Sequence, residues 1–551
     1  MAIAKPTALP PSIDPRCGFC SATKTFHSLR PALDLPHPSL PHSVTSYVFS
    51  LLSASSSPRP EHPAFVDSDA GLRVSYSDLL LQTRSLAASL RLLASINRSD
   101  VAFVLAPTSV KVPILYLSLL SIGVVVSPAN PLATSEEISR HVRLSNPKVV
   151  FATSATFSKV YSLGVRLILL DSPEFESMMV TDYAAAGEAC MEVKQSDPAG
   201  ILYSSGTTGG VKGVVLTHRN FMALIAGLYS VRQNRSSPAV VMVTVPLFHM
   251  FGFFYCMKAV ALAETVVLMH RFEIGKALGA VEEFKVTTMA VAPPVVVALV
   301  KADATRHDLS SLEVVASGGA PLGKEVIQVF ASKFRNVQIA QGYGLTESAG
   351  AAFRTVGPEE TRHYGSAGRL SAYTEAKLVD PVTGEALPPC NEGELWIRGS
   401  TIMKGYIGDE SATSATLDSE GWLRTGDLCY IDTEGFIFVV DRLKELIKFK
   451  GFQVAPAELE QLLQSHPEIV DAAVIPFPDE EAGQLPMAFV VKRTDSTLNQ
   501  TQVMSFVARQ VSQYKKIRRV SFINSIPKNP AGKILRKDLI KLAVSGLASK
   551  L

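Results

Sequence analysis

Cysteine is scarce in this chain. Six are spread over 551 residues, Cys17, Cys20, Cys190, Cys256, Cys390 and Cys429. A disulfide framework is thereby excluded as the organising device, and a reducing compartment is expected. Cys17 and Cys20 form one C-x-x-C, without the second pair or the histidines that a zinc site takes. A strong charge of one sign is also missing. The net charge is +3 and 19% of residues are charged, too weak and too spread for a nucleic-acid surface. No run is long enough to span a bilayer. VPILYLSLLSIGVVVS, residues 112–127, falls short of the ~18–20 residues required and reads as a buried helix followed by a buried strand. The first residues lack a basic start and apolar core, so no secretory leader is expected. What is abundant is apolar residues, at 47%. At about 100–200 residues per domain, the chain needs two or more cores.

Residues 1–45 are rich in Pro and Ser and read as an extended arm over a surface. Beyond them the pattern alternates. YSDLLLQTRSLAASLRLL (76–93) has helical spacing, VAFVLA (101–106) reads as a buried strand, SEEISRHVRLS opens like a helix, and KVVFAT and RLILLD follow as strands. The same rhythm returns in VVMVTVP (240–246), TVVLM (265–269), TTMAVAPP (287–294), LEVVAS (312–317) and VQIAQGYG (337–344). It predicts an α/β fold whose large N-terminal lobe holds helix-covered parallel sheets. After about residue 365 short strands with Gly and Asp punctuation, such as GELWIRG (393–399) and LCYIDTEGFIFVVD (428–441), predict a small antiparallel or barrel-like segment, with DTEG as a hairpin turn. From Asp441 onward a compact α+β domain is expected, giving domains at 1–440 and 441–551.

One stretch carries an unusual composition. YSSGTTGGVKG, Tyr203–Gly213, joins glycines and hydroxyls to one lysine with no carboxylate. Bare amides in such a turn form an anion nest, which points to phosphate. Val211 and Gly213 flank Lys212, so the pattern GxxxxGK[ST] is not met and kinase- or GTPase-type cradles are disfavoured. On its own the run supports only phosphate binding, with a flexible Gly-rich turn as the alternative reading.

Further motifs decide between these. YSSGTTGGVKGVVLTHRN (203–220), QGYGLTES (341–348), GELWIRGSTIMKGY (393–406), GWLRTGDL (421–428), DRLKELIKFKGFQVAPAELE (441–460) and PKNPAGKILRKDL (527–539) stand in order along the chain. With them the sequence resembles the adenylate-forming acyl-CoA ligases, and among those the plant 4-coumarate:CoA ligase-like enzymes with peroxisomal tails. The resemblance covers the chain from about residue 45. It implies an acid–thiol ligase that joins a carboxylate to AMP from ATP, releases pyrophosphate, and passes the acyl group to coenzyme A. ATP, Mg²⁺ and coenzyme A are the implied cofactors and co-substrates.

The resemblance also implies roles for particular residues. Ser204, Ser205, Gly206, Thr207, Thr208 and Lys212 would hold the β- and γ-phosphates. Gly319, Gln341 and Gly342 would meet the adenylate, and Thr346 the α-phosphate. Glu347 would hold Mg²⁺, although a Glu after such a turn is as readily a helix cap. Asp427 would accept the ribose hydroxyls with help from Arg442, although both are also ordinary salt-bridge partners. Lys533 would bridge the carboxylate and the α-phosphate in the first half-reaction. Rotation of the tail about Asp441 would then bring in Lys444, Lys448 and Gln453, with Lys448 as a catalytic group. Lys450, Gly451 and Arg271 would line the coenzyme A path. His249 would gate the acyl site.

Phe251, Tyr255, Ala316, Gly350 and Ala351 would line the acyl pocket. By motif alignment three of these positions are smaller than in 4-coumarate enzymes and a possible cation is lost. This predicts an apolar acid of larger size: a fatty acid, a cyclopentanone oxylipin precursor, or still a cinnamate-type acid, in lipid or phenylpropanoid metabolism. Two rival readings share the motifs, a luciferase-like adenylating oxygenase and a non-catalytic nucleotide-binding relative. Ser549-Lys550-Leu551 matches a peroxisomal address read by an import receptor, so the peroxisome is the expected location, with no nucleic-acid partner and no membrane span.

Overall fold

Strands that alternate with helices and are apolar throughout need cover on both faces, and helix layers on a parallel sheet provide it. The computed structural model of the chain describes residues 12–55, 60–181, 192–205, 211–232, 235–450, 452–479, 482–529 and 532–548. Two large sheets organise the first four hundred residues. One orders seven strands as Gly405–Tyr406, Val211–Thr217, Pro198–Ser205, Val125–Pro128, Val101–Leu105, Val149–Ala152 and Arg166–Leu169. The other has nine, with Thr265–Leu268, Val240–Val243, Thr288–Val291, Val314–Gly318 and Gln338–Leu345 running parallel through its middle.

Helices Val44–Ala54, Lys111–Ser121, His218–Ser230 and Met250–Ala261 pack on one another and share one core with both sheets. Tyr47, Tyr116, Phe221 and Phe253 are buried there with Phe65 of the nine-stranded sheet and Val104 and Leu202 of the seven-stranded one. Cutting Phe253 to Ala would cost roughly 3–5 kcal/mol. Local chemistry starts the helices where they begin. Thr217 and Asn220 close a capping box on His218–Ser230. The run at 112–127 divides as its sequence suggests, into helix Lys111–Ser121 and strand Val125–Pro128. Gly123 makes the turn between them at φ +72°.

The short strands after residue 365 form an antiparallel sheet: Thr374–Val379, Gly393–Gly399, Leu423–Ile431 and Ile437–Arg442 in sequence. The segment 432–435 is the turn between the last two. Strands Phe19–Cys20 and Thr25–His27 extend this sheet, pairing with Thr374–Val379. The expected extended arm is therefore partly woven into the fold, with Phe26 buried. Cys17, Cys20, Cys256, Cys390 and Cys429 are free.

From Ile447 a five-stranded sheet carries its own core of Ile447, Leu459, Val474, Ala488 and Val503. The last helix, Arg536–Ala548, takes in the segment 543–548 that its composition alone suggests is loose. Leu539 anchors it beside Phe477. Among the described residues no helix is long and apolar enough to cross a membrane.

Candidate active site

Parallel strands leave their carboxyl ends at one edge, where loops and helix starts can meet a ligand. A cavity of about 1100 Å³ takes in the ends of strands Val125–Pro128, Pro198–Ser205, Val314–Gly318 and Gln338–Leu345. The antiparallel pairing of Pro198–Ser205 with Val211–Thr217 sets Lys212 opposite Ser204, and both line this space. Ser204 Oγ donates to Glu347 Oε1 at 3.0 Å. The same oxygen accepts from Tyr406 Oη at 3.0 Å, while Lys212 Nζ stands 4.4 Å from the Tyr406 ring centre. One carboxylate, one ammonium and two hydroxyls thus share a corner. Glu347 sits in the short 3₁₀ turn Thr346–Ser348. Its side chain turns to the cavity and does not cap, which favours the ligand reading over the capping one.

A second group lies on the antiparallel sheet. Asp427 and Arg442 are directly paired across strands, and Arg442 Nε is 3.3 Å from Asp427 Oδ1. Tyr343 Oη donates to Asp427 Oδ2 at 2.6 Å. Burial pushes the Asp427 carboxyl above its ordinary value, against the pull of Arg442 and Tyr343. Thr425, Gly426 and Arg442 line the cavity over it.

Lys533 enters from the tail. Its loop is closed by Lys533 N donating to Asn529 Oδ1 at 2.9 Å and by Asn529 N donating to Lys533 O at 2.9 Å. Gly532 has φ +81°, and a Cβ there would lie 3.4 Å from Pro294 Cγ of the large lobe. Lys533 and Lys444 both line the cavity. Burial lowers the Lys533 ammonium pKa, and Arg442 adds to the shift.

The acyl candidates collect on the opposite side. His249 caps helix Met250–Ala261, and its Nδ1 accepts from Phe251 N at 3.4 Å. Burial lowers its pKa, so the imidazole is neutral near pH 7 and its proton sits on Nε2. Gly252 is required here, because a Cβ would lie 2.2 Å from Pro246 O. Phe251 and Tyr255 meet edge to face at 5.3 Å and 66°, and with Ala316, Gly350 and Ala351 they border the cavity. One expectation about this wall is corrected. At Gly350 the missing side chain leaves no acyl space, because Leu224 Cδ2 lies 2.9 Å from where a Cβ would be. Arg354 also lines this wall.

Gly319, Gln341, Gly342 and Thr346 border the cavity as well. Gln341 is anchored by its Nε2 donating to Ser366 O at 2.8 Å. Other candidates stand apart. Arg271 lines a separate hollow with Asp69 and His270. Lys448 and Gln453 are exposed and pair across strands Ile447–Phe449 and Phe452–Val454 at the edge of the tail's five-stranded sheet, with Lys450 just after the first of these in a left-handed conformation, φ +46°. Gly206, Thr207, Thr208, Gly451 and Ser549-Lys550-Leu551 lie outside the described residues, as does the side chain of Ser205. Tyr343, Tyr406 and Arg354 were not singled out from sequence, although the first two lie inside recognised motifs.

Residues 52–407 match the AMP-binding enzyme family and residues 458–533 match the AMP-binding enzyme C-terminal domain. The chain belongs to the AMP-binding enzyme family. Among its relatives, "4-coumarate--CoA ligase-like 9" of Arabidopsis thaliana is 52% identical over 98% of both chains. "Peroxisomal OPC-8:0-CoA ligase 1" of Arabidopsis thaliana is 46% identical over 97% of this chain and 99% of its own. The expectation of an acid–thiol ligase is borne out by these relatives. In fold, this AMP-binding enzyme is similar to an ATP-bound RpMatB-BxBclM chimera, with TM-score 0.80, 25% identity, and 91% of this chain and 99% of that one covered. It is similar also to the anthranilate CoA ligase AuaEII solved with anthranoyl-AMP, with TM-score 0.83, 22% identity, and 94% and 99% covered.

Proposed function

We propose that the chain is an ATP-dependent carboxylate:CoA ligase that works through an acyl-AMP. The observation that carries this is the meeting of Lys533 from the tail loop with Ser204, Lys212, Glu347 and Arg442 around one cavity. A carboxylate attacking the α-phosphorus puts negative charge on phosphoryl oxygens, and fixed cations in a dry site stabilise it. Lys212 and the Ser204 hydroxyl face the departing pyrophosphate. Asp427, held by Tyr343 and Arg442, takes the ribose hydroxyls. Lys533 supplies a compact charge between the attacking carboxylate and the α-phosphate. The neutral His249 closes the acyl side and excludes water.

Glu347 fits Mg²⁺, because its carboxylate is a hard oxygen donor beside the phosphate corner and, among the described residues, is held by two hydroxyls and by no cation. The metal would neutralise phosphate charge there.

We read residues 1–440 as the adenylation domain and 441–551 as a mobile lid. The lid would turn about Asp441 to exchange Lys533 for Lys448, Lys444 and Gln453, with Lys450, Gly451 and Arg271 on the coenzyme A path. The rings at 251 and 255 favour an apolar acid. A peroxisomal location is supported by the peroxisomal relative and by the tripeptide Ser549-Lys550-Leu551. Purified protein given ATP, Mg²⁺, coenzyme A and a panel of fatty, cyclopentanone and cinnamate acids should release pyrophosphate and form a thioester. Light, a decarboxylated product, or no pyrophosphate with any acid would refute the proposal.

A further inference from the structure

We propose that Arg354 makes the acyl end of the cavity selective for acids that carry an oxygen acceptor remote from the reacting carboxylate. This deepens the ligase reading and rests on it.

Arg354 ends strand Gly350–Arg354, which runs antiparallel to Gln338–Leu345 with Arg354 opposite Gly342. A Cβ placed on Gly342 would lie 3.6 Å from Ala351 Cβ and 3.8 Å from Arg354 Cβ. Both side chains therefore rise on the face that Gly342 leaves bare, and both line the cavity. Ala351 brings no bulk beside it, and Arg354 borders the cavity.

Among the described residues, the charge on Arg354 has no carboxylate bonded to it. Its Nη2 donates to Gly227 O at 2.9 Å, and its Nε is buried without a hydrogen-bond partner among the described residues. Glu360, whose field reaches it, is gripped on both oxygens by Arg30 at 2.6 Å. Glu264, on the same cavity wall, is closed by Lys258 at 2.6 Å, and Glu313 by Arg235 at 2.6 Å. Burial pushes the Arg354 pKa down to about 9, with Arg30 adding to the shift. A guanidinium taken out of water without an anion is costly unless something else supplies the acceptor. A bound acid with a carbonyl or a second carboxylate at its far end supplies it. An acid that is only hydrocarbon there leaves the cost in place, so the pocket discriminates against it.

The test compares three acids of equal chain length: unsubstituted, bearing a keto group near the far end, and bearing a terminal carboxylate. Thioester formation is measured with ATP and coenzyme A for the wild-type chain, Arg354→Met and Arg354→Lys. In Arg354→Met, kcat/KM for the two oxygenated acids should fall about tenfold or more relative to the unsubstituted acid, mainly through KM. The split between keto acid and diacid identifies which oxygen the site takes. Arg354→Lys should restore part of the preference. If Arg354→Met does not fold, Arg354→Gln takes its place. A change that is equal for all three acids, or no change, overturns the proposal. Calorimetric binding of the same acids to the same chains gives the comparison without turnover. Binding that depends on Arg354 with no thioester would refute the ligase reading while upholding this one, and binding indifferent to Arg354 would refute this one alone.

Discussion

Asp427 and Arg442 face each other directly across two antiparallel strands, one at the close of the large lobe's sheet and one leading into the tail, with Nε and Oδ1 3.3 Å apart. Tyr343 holds the other carboxylate oxygen at 2.6 Å. A hydrogen bond to a charged group contributes about 1.5–3 kcal/mol. Tyr343→Phe should therefore lower stability by about that much in denaturant unfolding and also raise the Kd for ATP about tenfold or more, measured by equilibrium binding. Asp427→Asn should weaken ATP further. Unchanged binding in both would remove Asp427 from the nucleotide site.

Replacing the tail lysine separates the two half-reactions. Lys533→Ala should slow acid-dependent pyrophosphate release by roughly 100-fold or more, while transfer to coenzyme A from pre-made acyl-AMP largely survives. Near-normal adenylation in this variant would sink the assignment.

The pH dependence has a definite sign. Burial holds the Lys533 pKa below the ordinary 10.5, and the charged form is the active one. Adenylation should thus decline on an alkaline limb that begins below pH 10.5, as Lys533 loses its proton. Because the unfolded chain binds that proton more tightly, this group makes the fold gain stability as pH rises through the lowered value toward the ordinary one. In Lys533→Arg the limb should move to higher pH, since the guanidinium does not titrate there. A limb unmoved by that substitution assigns it to another group.

Tyr406 joins Glu347 and Lys212. Tyr406→Phe deletes the hydroxyl bond at 3.0 Å but keeps the ring beneath the ammonium. It should raise the Mg²⁺ concentration needed for half-maximal pyrophosphate release severalfold, with the ATP dependence less affected. Tyr406→Ala should disturb both.

In the tail, Glu460 is buried and accepts two bonds from Arg536 at 2.9 Å. Glu460→Ala strands that cation with Glu445, at 3.1 Å, as its remaining carboxylate. Denaturant unfolding should show a loss of about 3 kcal/mol, carried by the tail.

The sequence-derived readings hold where information is local. Strand–helix alternation and the hairpin at 432–435 follow from periodicity and turn residues. Strands Phe19–Cys20 and Thr25–His27 are too short to show a period. Gly546 and Ser545 make the final helix look loose until Leu539 packs. Tyr343 and Tyr406 draw their meaning from what faces them, Asp427 and Glu347, far away in the chain. Arg354 is hidden by a bulge. Ala351 and Arg354 differ by three and should lie on opposite faces of a regular strand. The register shift between Tyr343 and Gly344 places an extra residue in the partner strand and returns Arg354 to the face of Ala351.

That bulged strand also works as a gauge. Glu347 lies three residues before its first residue, in the turn Thr346–Ser348, and Arg354 is its last, and a strand advances about 3.3 Å per residue. On the proposed reading, this strand's backbone spaces the turn that carries Glu347 from the residue that carries the guanidinium. Acids whose two oxygenated ends match that span would be measured at both ends at once, and homologues a few methylenes shorter or longer would be sorted by length before any chemistry begins.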